Sequence, residues 1–379
     1  MTLDKQGFQR PVVEKRSGLS YRSGMEESEL FESVCPAVRV VAPDPSGRQF
    51  HRIFGSYVSV WQGWAADEET RYAGSSGGVL TALSAWLVSS GQRESVTACG
   101  PDADDPRRTR AVVLTEGDDF KVASGSRYAP VSNLLRYDPN AGSVFVGKPC
   151  EVSAASRLNS VLGISADKSP ILLSFFCAGT PSQWGTNALV ERMGDELGVV
   201  REVRYRGNGW PGHFTVTSVS GDTAEMSYNE SWGEHIGTNI QWRCKLCVDG
   251  TGGDSDIAVG DYWFADEEGY PRFDNADGNS VVIARTQRGH ALLLAAASQG
   301  AVALAPIDLE AVARIQPLQV ERKITLVGRL LGRLLMGKRV PYYRGFGLAR
   351  FALQNLPKNL RAAAGTAKRS RSLGNRRRS

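Results

Sequence analysis

The sequence predicts an α/β fold: a mixed-sheet core with a Gly-rich loop leading into a helix, an antiparallel and irregular insertion, and a helical, basic C-terminal extension. Three observations carry that prediction. From Ser56 onward short apolar strands alternate with helical patterns. Residues 201–243 are rich in Gly, Trp and Tyr, and HFTVTSVS within them alternates apolar and polar positions. Residues 322–379 hold 16 Lys and Arg and no Asp or Glu.

The elements follow in order. Residues 1–55 are polar and irregular, with one short amphipathic piece from Glu26 to Val34, and read as an extension wrapping the core. YVSVWQGWAA is strand-like; GSSGG then breaks the chain, and VLTALSAWLVSSG continues as an apolar helix stopped by Gly91. Short strands are predicted at Ser95–Ala98 and Arg110–Thr115, followed by the loop GSRYAP, the strand SVFVG, the turn KPC, the helix EVSAASRL and the buried strand ILLSFFC. After the insertion, WRCKLC leads to the strands SDIAVGDYWF and NSVVIARTQRG and the helix HALLLAAASQG. These elements assign residues 56–320 to the core and 321–379 to the extension, whose last run, RSRSLGNRRRS, is expected to be disordered.

The net charge of +5 conceals a division: without residues 322–379 the chain has 29 basic against 40 acidic residues, a body charge of −11. A nucleic-acid partner is therefore not expected. MTLDKQGFQR lacks the pattern of a signal peptide and no apolar run reaches ~18 residues, so cytoplasm is the expected location. In KITLVGRLLGRLLMGKR, Leu and Arg segregate at helical spacing, and two readings stay open: peripheral attachment to an anionic membrane surface, or a helix packed on the core.

Six cysteines in a reducing compartment point to metal or redox chemistry rather than a disulfide framework. Cys150, Cys177 and the C-x-x-C pair Cys244 and Cys247 each stand where a strand or turn ends, where free backbone N–H groups can meet cluster sulfurs. The isolated Cys150 and Cys177 favour an iron–sulfur cluster over the paired knuckles of structural zinc, while inert buried thiols and a redox C-x-x-C remain alternatives. Cys35 and Cys99 read as packing positions. Ser75, Ser76, Gly77 and Gly78 precede a helix that carries Thr81, so hydroxyls and backbone N–H groups can receive an anionic group such as phosphate; a tight turn with a capped helix is equally compatible. Gly125 and Ser126 form a second such turn, and Tyr128 beside them reads as a core residue or as a ring stacked on a flat cofactor.

Taken in order, GSSGGVLTAL, GSRYAP, VGKPCEVSAASRL, LLSFFCAGTPS, YRGNGWPG, WRCKLCVD, SDIAVGDYW and DGNSVVIARTQRG resemble the coenzyme F420 hydrogenase/dehydrogenase beta subunit family over about Tyr57 to Gly289. The resemblance implies an iron–sulfur flavoprotein oxidoreductase that passes electrons between a [4Fe–4S] cluster and FAD and acts on coenzyme F420 or another organic substrate. It implies cluster ligands at Cys150, Cys177, Cys244 and Cys247, and FAD contacts from Ser75 to Gly78, Thr81, Gly125, Ser126 and Tyr128. Many relatives carry an N-terminal ferredoxin-like module; here only Cys35 remains in that region, so electrons are expected from a separate electron-transfer protein or catalytic subunit. Lys148, Arg206 and His213, with Trp210 and Arg243, are candidate substrate-face residues, each equally readable as a surface charge or packed ring. Asp254, Asp256 and Asp261 read as capped strand ends rather than cation ligands. A second function stays open: a family member serving polysaccharide biosynthesis at the membrane without redox activity.

Overall fold

The computed structural model describes residues 1–12, 27–194, 197–263 and 277–375, with side chains as far as Arg371. Its centre is an eight-stranded mixed sheet in the order Val302–Pro306, Ser59–Ala65, Asn279–Ala284, Ile257–Tyr262, Ile171–Phe175, Ser143–Gly147, Ser95–Pro101, Thr109–Leu114. The run from Ile257–Tyr262 to Ser95–Pro101 is parallel. Antiparallel strands complete the sheet on both sides.

The parallel strands are buried on both faces, which explains their unbroken apolar sequence. Alternate side chains serve different cores. Ile171 and Leu173 join Val79, Leu83 and Leu87 of the helix Val79–Ser89, whereas Leu172 joins Val152 and Ala155 of the helix Pro149–Val161. The period of two along the strand meets the period of about 3.6 along each helix, so both elements are fixed by the same burial. Leu83 and Leu87 are each 1% exposed, and burial of such a side chain is worth about 1.5–3 kcal/mol.

The insertion is a three-stranded antiparallel sheet, Val200–Arg204, His213–Ser218 and Thr223–Ser227, built over Tyr205, Phe214 and Val216. Beyond the sheet the chain is mainly helical: Pro317–Ile324, Leu326–Leu334, Leu348–Gln354 and Leu356–Asn375. The last helix runs through RSRSLGN, a stretch expected to be disordered; Thr366 and Ser370 are buried on its contact face, which gives it the packing the sequence pattern alone did not reveal. Residues 376–379 lie outside the described residues, as do 13–26, including Glu26. No helix among the described residues is long and apolar enough to cross a membrane.

Candidate functional site

Ser143–Gly147 and Ile171–Phe175 are adjacent and parallel, with Gly147 opposite Ser174. Cys150 follows Gly147 by three residues, at the start of the helix Pro149–Val161, and Cys177 follows Ser174 by three. Both thiols therefore leave the sheet at the carboxyl ends of neighbouring strands, the usual position for functional loops in open α/β sheets. The C-x-x-C pair comes to the same edge by backbone pairing: Cys177 N–H donates to the Gly250 carbonyl at 2.8 Å, and Gln241 N–H to the Thr180 carbonyl at 3.0 Å.

The four sulfurs are electrostatic neighbours. Cys150 senses Cys244 and Cys177, and Cys177 senses Cys244 and Cys247. Thr180 N–H points at Cys244 Sγ, 3.4 Å away, an arrangement common around ligating thiolates. Burial, joined by the neighbouring Cys244, pushes the Cys177 thiol up to about 12; burial and Glu151 push the Cys150 thiol well above the ordinary thiol value. Thiols so placed ionise only against a positive partner, which a metal or cluster supplies. Among the described residues no three His, Cys, Asp or Glu side chains lie close enough to hold a single ion. A lone zinc at about 2.3 Å from each sulfur would draw thiolates to about 3.8 Å from one another.

Cations surround the thiols. Arg243 lies in the field of Cys247, Cys150 and Cys244 and is anchored by Nη2 to the Pro36 carbonyl at 2.5 Å. Lys148 is buried beside Cys150; burial opposes its charge, but Glu151 at 2.8 Å outweighs that and holds the pKa above the ordinary lysine value. Arg322 donates to the Cys177 and Ala178 carbonyls at 3.0 and 2.7 Å.

Beside the thiols opens a cavity of about 310 Å³. Its wall includes Ser75, Ser76, Gly78 and Thr81 from the first glycine loop and helix, Gly125, Ser126 and Tyr128 from the second turn, and Cys177. Gly77 stands behind that lining, where a Cβ would meet the Gly63 carbonyl at 2.6 Å. Gly78 has φ +71° and begins the helix Val79–Ser89 with no side-chain cap, so the first backbone N–H groups of an 11-residue helix remain for an anionic group. Ser126 Oγ donates to Ser75 Oγ at 2.7 Å and ties the two loops together.

Of the proposed substrate-face residues, Lys148 and Arg206 line the cavity and His213 does not; it is exposed at the start of His213–Ser218. Arg206 is 3% exposed, pairs with Asp261 at 2.6 Å and lies 4.5 Å over the Tyr228 ring. Burial opposes its charge, yet Asp261 together with Tyr128 and Tyr228 holds the guanidinium firmly protonated. Trp210 is buried. Asp256 accepts from Leu172 N–H and pairs with Arg288 at 2.6 Å, and so braces a strand end. Cys99, read as a packing residue, also lines the cavity. The residues that sequence reasoning missed are Asp261 as partner of Arg206, and Gln316, Leu318 and Gln319, which line the cavity from just before the C-terminal extension. Only an apolar-to-polar alternation in SDIAVGD hinted at Asp261, and nothing local marked Gln319.

The models for the coenzyme F420 hydrogenase/dehydrogenase beta subunit match this chain in tandem, the N-terminal one over residues 60–136 and the C-terminal one over 142–310. Coenzyme F420 hydrogenase subunit beta from Methanothermobacter thermautotrophicus is 23% identical over 301 residues, spanning 76% of this chain and 100% of the relative. A chain of the F420-reducing [NiFe] hydrogenase complex from Methanosarcina barkeri superposes with a TM-score of 0.59 at 21% identity, covering 77% of this chain and 99% of that one. That likeness extends to the large mixed sheet and its fold.

Proposed function

This chain belongs to the coenzyme F420 hydrogenase/dehydrogenase beta subunit family, an oxidoreductase component, and we propose that it holds a [4Fe–4S] cluster on Cys150, Cys177, Cys244 and Cys247 beside FAD. One observation carries the reading: Cys177 belongs at once to the thiol group and to the wall of the glycine-lined cavity. Bound there, FAD would exchange hydride with an organic substrate and single electrons with the cluster.

The chain's own residues supply the setting. The uncapped helix at Gly78 and the hydroxyls of Ser75, Ser76 and Thr81 would take the pyrophosphate. Tyr128, held edge-on against Tyr205 at 5.7 Å between centroids, would face a ring of the flavin nucleotide. Arg243, Lys148 and Arg322 offset the negative charge of four thiolates. Arg206 keeps a positive charge in the cavity, where it would orient an anionic substrate such as coenzyme F420.

The reading gives residues 56–320 the cofactors. With Cys35 as the one cysteine of residues 1–55, electrons would arrive from a separate electron-transfer protein or catalytic subunit; that one relative's structure is a hydrogenase complex supports this. The test is stepwise anaerobic reduction of protein reconstituted with iron, sulfide and FAD. A flavin band that bleaches together with the growth of a cluster EPR signal, and hydride transfer to added coenzyme F420, is expected. Reduction of neither centre, or a flavin that never equilibrates with iron, would overturn it.

A further inference from the structure

Beyond residue 310, where the family match ends, two helices form a tight pair. Gly328 and Gly332 are the contact points: a Cβ there would come within 2.1 Å of the Asn359 carbonyl and 2.3 Å of the Ala363 carbonyl. Because 328 faces 359 and 332 faces 363, Leu326–Leu334 and Leu356–Asn375 run parallel. One edge of the pair is turned to the protein. Arg329 donates to the Lys245 carbonyl at 3.3 Å, Arg333 stacks 4.5 Å over Trp242, and Lys358 pairs with Glu321 at 3.1 Å.

At about 100° per residue, Leu331 projects roughly opposite Arg329 and Arg333, Leu334 turns away from Arg329, and Leu356 and Leu360 project roughly opposite Lys358. In a parallel pair those two sets flank the same side of the seam. All four are more than half exposed, and Leu335, 75% exposed and four residues after Leu331, continues the same side. Five exposed leucines on one side of the pair call for an occupant.

Charge chooses the occupant. Residues 322–379 hold 16 cations and no carboxylate side chain, and Lys338, Arg339, Arg361 and Lys368 are exposed around this pair. A second copy would bring two such surfaces face to face, against strong like-charge repulsion. Nucleic acid would satisfy the cations and leave the leucines in water. An anionic bilayer surface meets both demands, with leucines in the headgroup boundary and Lys and Arg on the phosphates. We propose that the parallel helix pair Leu326–Leu334 and Leu356–Asn375 docks the protein in the plane of an anionic membrane through Leu331, Leu334, Leu335, Leu356 and Leu360.

The test is co-sedimentation of the full-length protein with vesicles of phosphatidylcholine alone and of phosphatidylcholine mixed with phosphatidylglycerol. Binding to the anionic vesicles alone, weakened by salt, is expected. Replacing Leu334, Leu335 and Leu360 by Ser removes exposed apolar groups without touching the Gly328 and Gly332 contacts, and is expected to cut vesicle affinity by about tenfold or more. Circular dichroism and an unchanged melting curve control for folding, and Arg361→Glu with Lys368→Glu provides a second variant with the same expected loss. Equal binding to neutral vesicles, no binding to anionic ones, or a dimer dissolved by the Leu→Ser changes would each overturn the proposal. None of these outcomes bears on the cluster or the flavin, so the two readings fail separately.

Discussion

Arg322 Nη1 donates to the Cys177 carbonyl at 3.0 Å across 145 residues of sequence, so the first helix of the C-terminal extension fastens the loop that carries a proposed cluster ligand. Gln319 on the same helix reaches the same carbonyl at 3.4 Å. The extension is thus part of the site's framework as well as a surface.

Arg322→Ala is expected to loosen that loop. Groups that orient a ligand commonly contribute 10–100-fold to metal affinity, so iron retention during desalting should fall by roughly tenfold in rate, with Arg322→Lys restoring part of it. Iron content measured against time, alongside an unchanged far-UV circular dichroism spectrum, checks this.

Gly78→Ala should separate the flavin from the iron. The position has φ +71°, and a Cβ would meet the Thr70 carbonyl at 2.7 Å; left-handed backbone costs a residue with a Cβ about 1–2 kcal/mol. A loss of about tenfold in FAD affinity is expected, with iron content unchanged, as read by fluorescence titration and metal analysis of one preparation.

Asp261→Ala leaves Arg206 charged and buried without its partner. Breaking such a pair typically costs about 3–5 kcal/mol, so the urea midpoint should drop sharply, and the double change Arg206→Met with Asp261→Leu should recover much of the loss. A single variant as stable as the parent would remove the buried pair from the account.

Lys323 is 7% exposed and donates to the Ile53 carbonyl at 2.7 Å. Burial, partly offset by Asp249, lowers its pKa from 10.5 to about 8. Between those values the unfolded chain holds a proton that the folded chain has released, so stability contributed by this group rises with pH through the window, by up to roughly 3 kcal/mol. Below pH 8 both states are protonated and the contribution is flat. Lys323→Met should lack the rise; the difference between variant and parent in urea midpoints from pH 8 upward measures it.

Much of the sheet was legible because its strands are buried on both faces: ILLSF and NSVVIA could be nothing but core. The strand order was not, since pairing such as Val282 with Trp61 leaves no local pattern. Of the four thiols, Cys150 and Cys177 follow strand ends, whereas Cys244 lies in the short helix Trp242–Lys245 and Cys247 just after it; spacing alone left zinc and inert thiols open, and the shared sheet edge of Cys150 and Cys177 depends on the register Gly147 to Ser174. His213 was chosen for its Gly-Trp neighbourhood, and it begins the central strand of the insertion, where alternation turns it outward while Phe214 turns in. Gln319 fell at the end of the assigned core and Arg322 looked like a member of the basic extension, and their contacts to Cys177 come only from tertiary folding.

The most direct measurement is iron, acid-labile sulfide and flavin per chain in protein purified without oxygen. About four irons and four sulfides with one FAD are predicted, the iron lost and the flavin kept when Cys244 and Cys247 are changed to Ala. Stoichiometric zinc with no sulfide and no flavin would contradict the account.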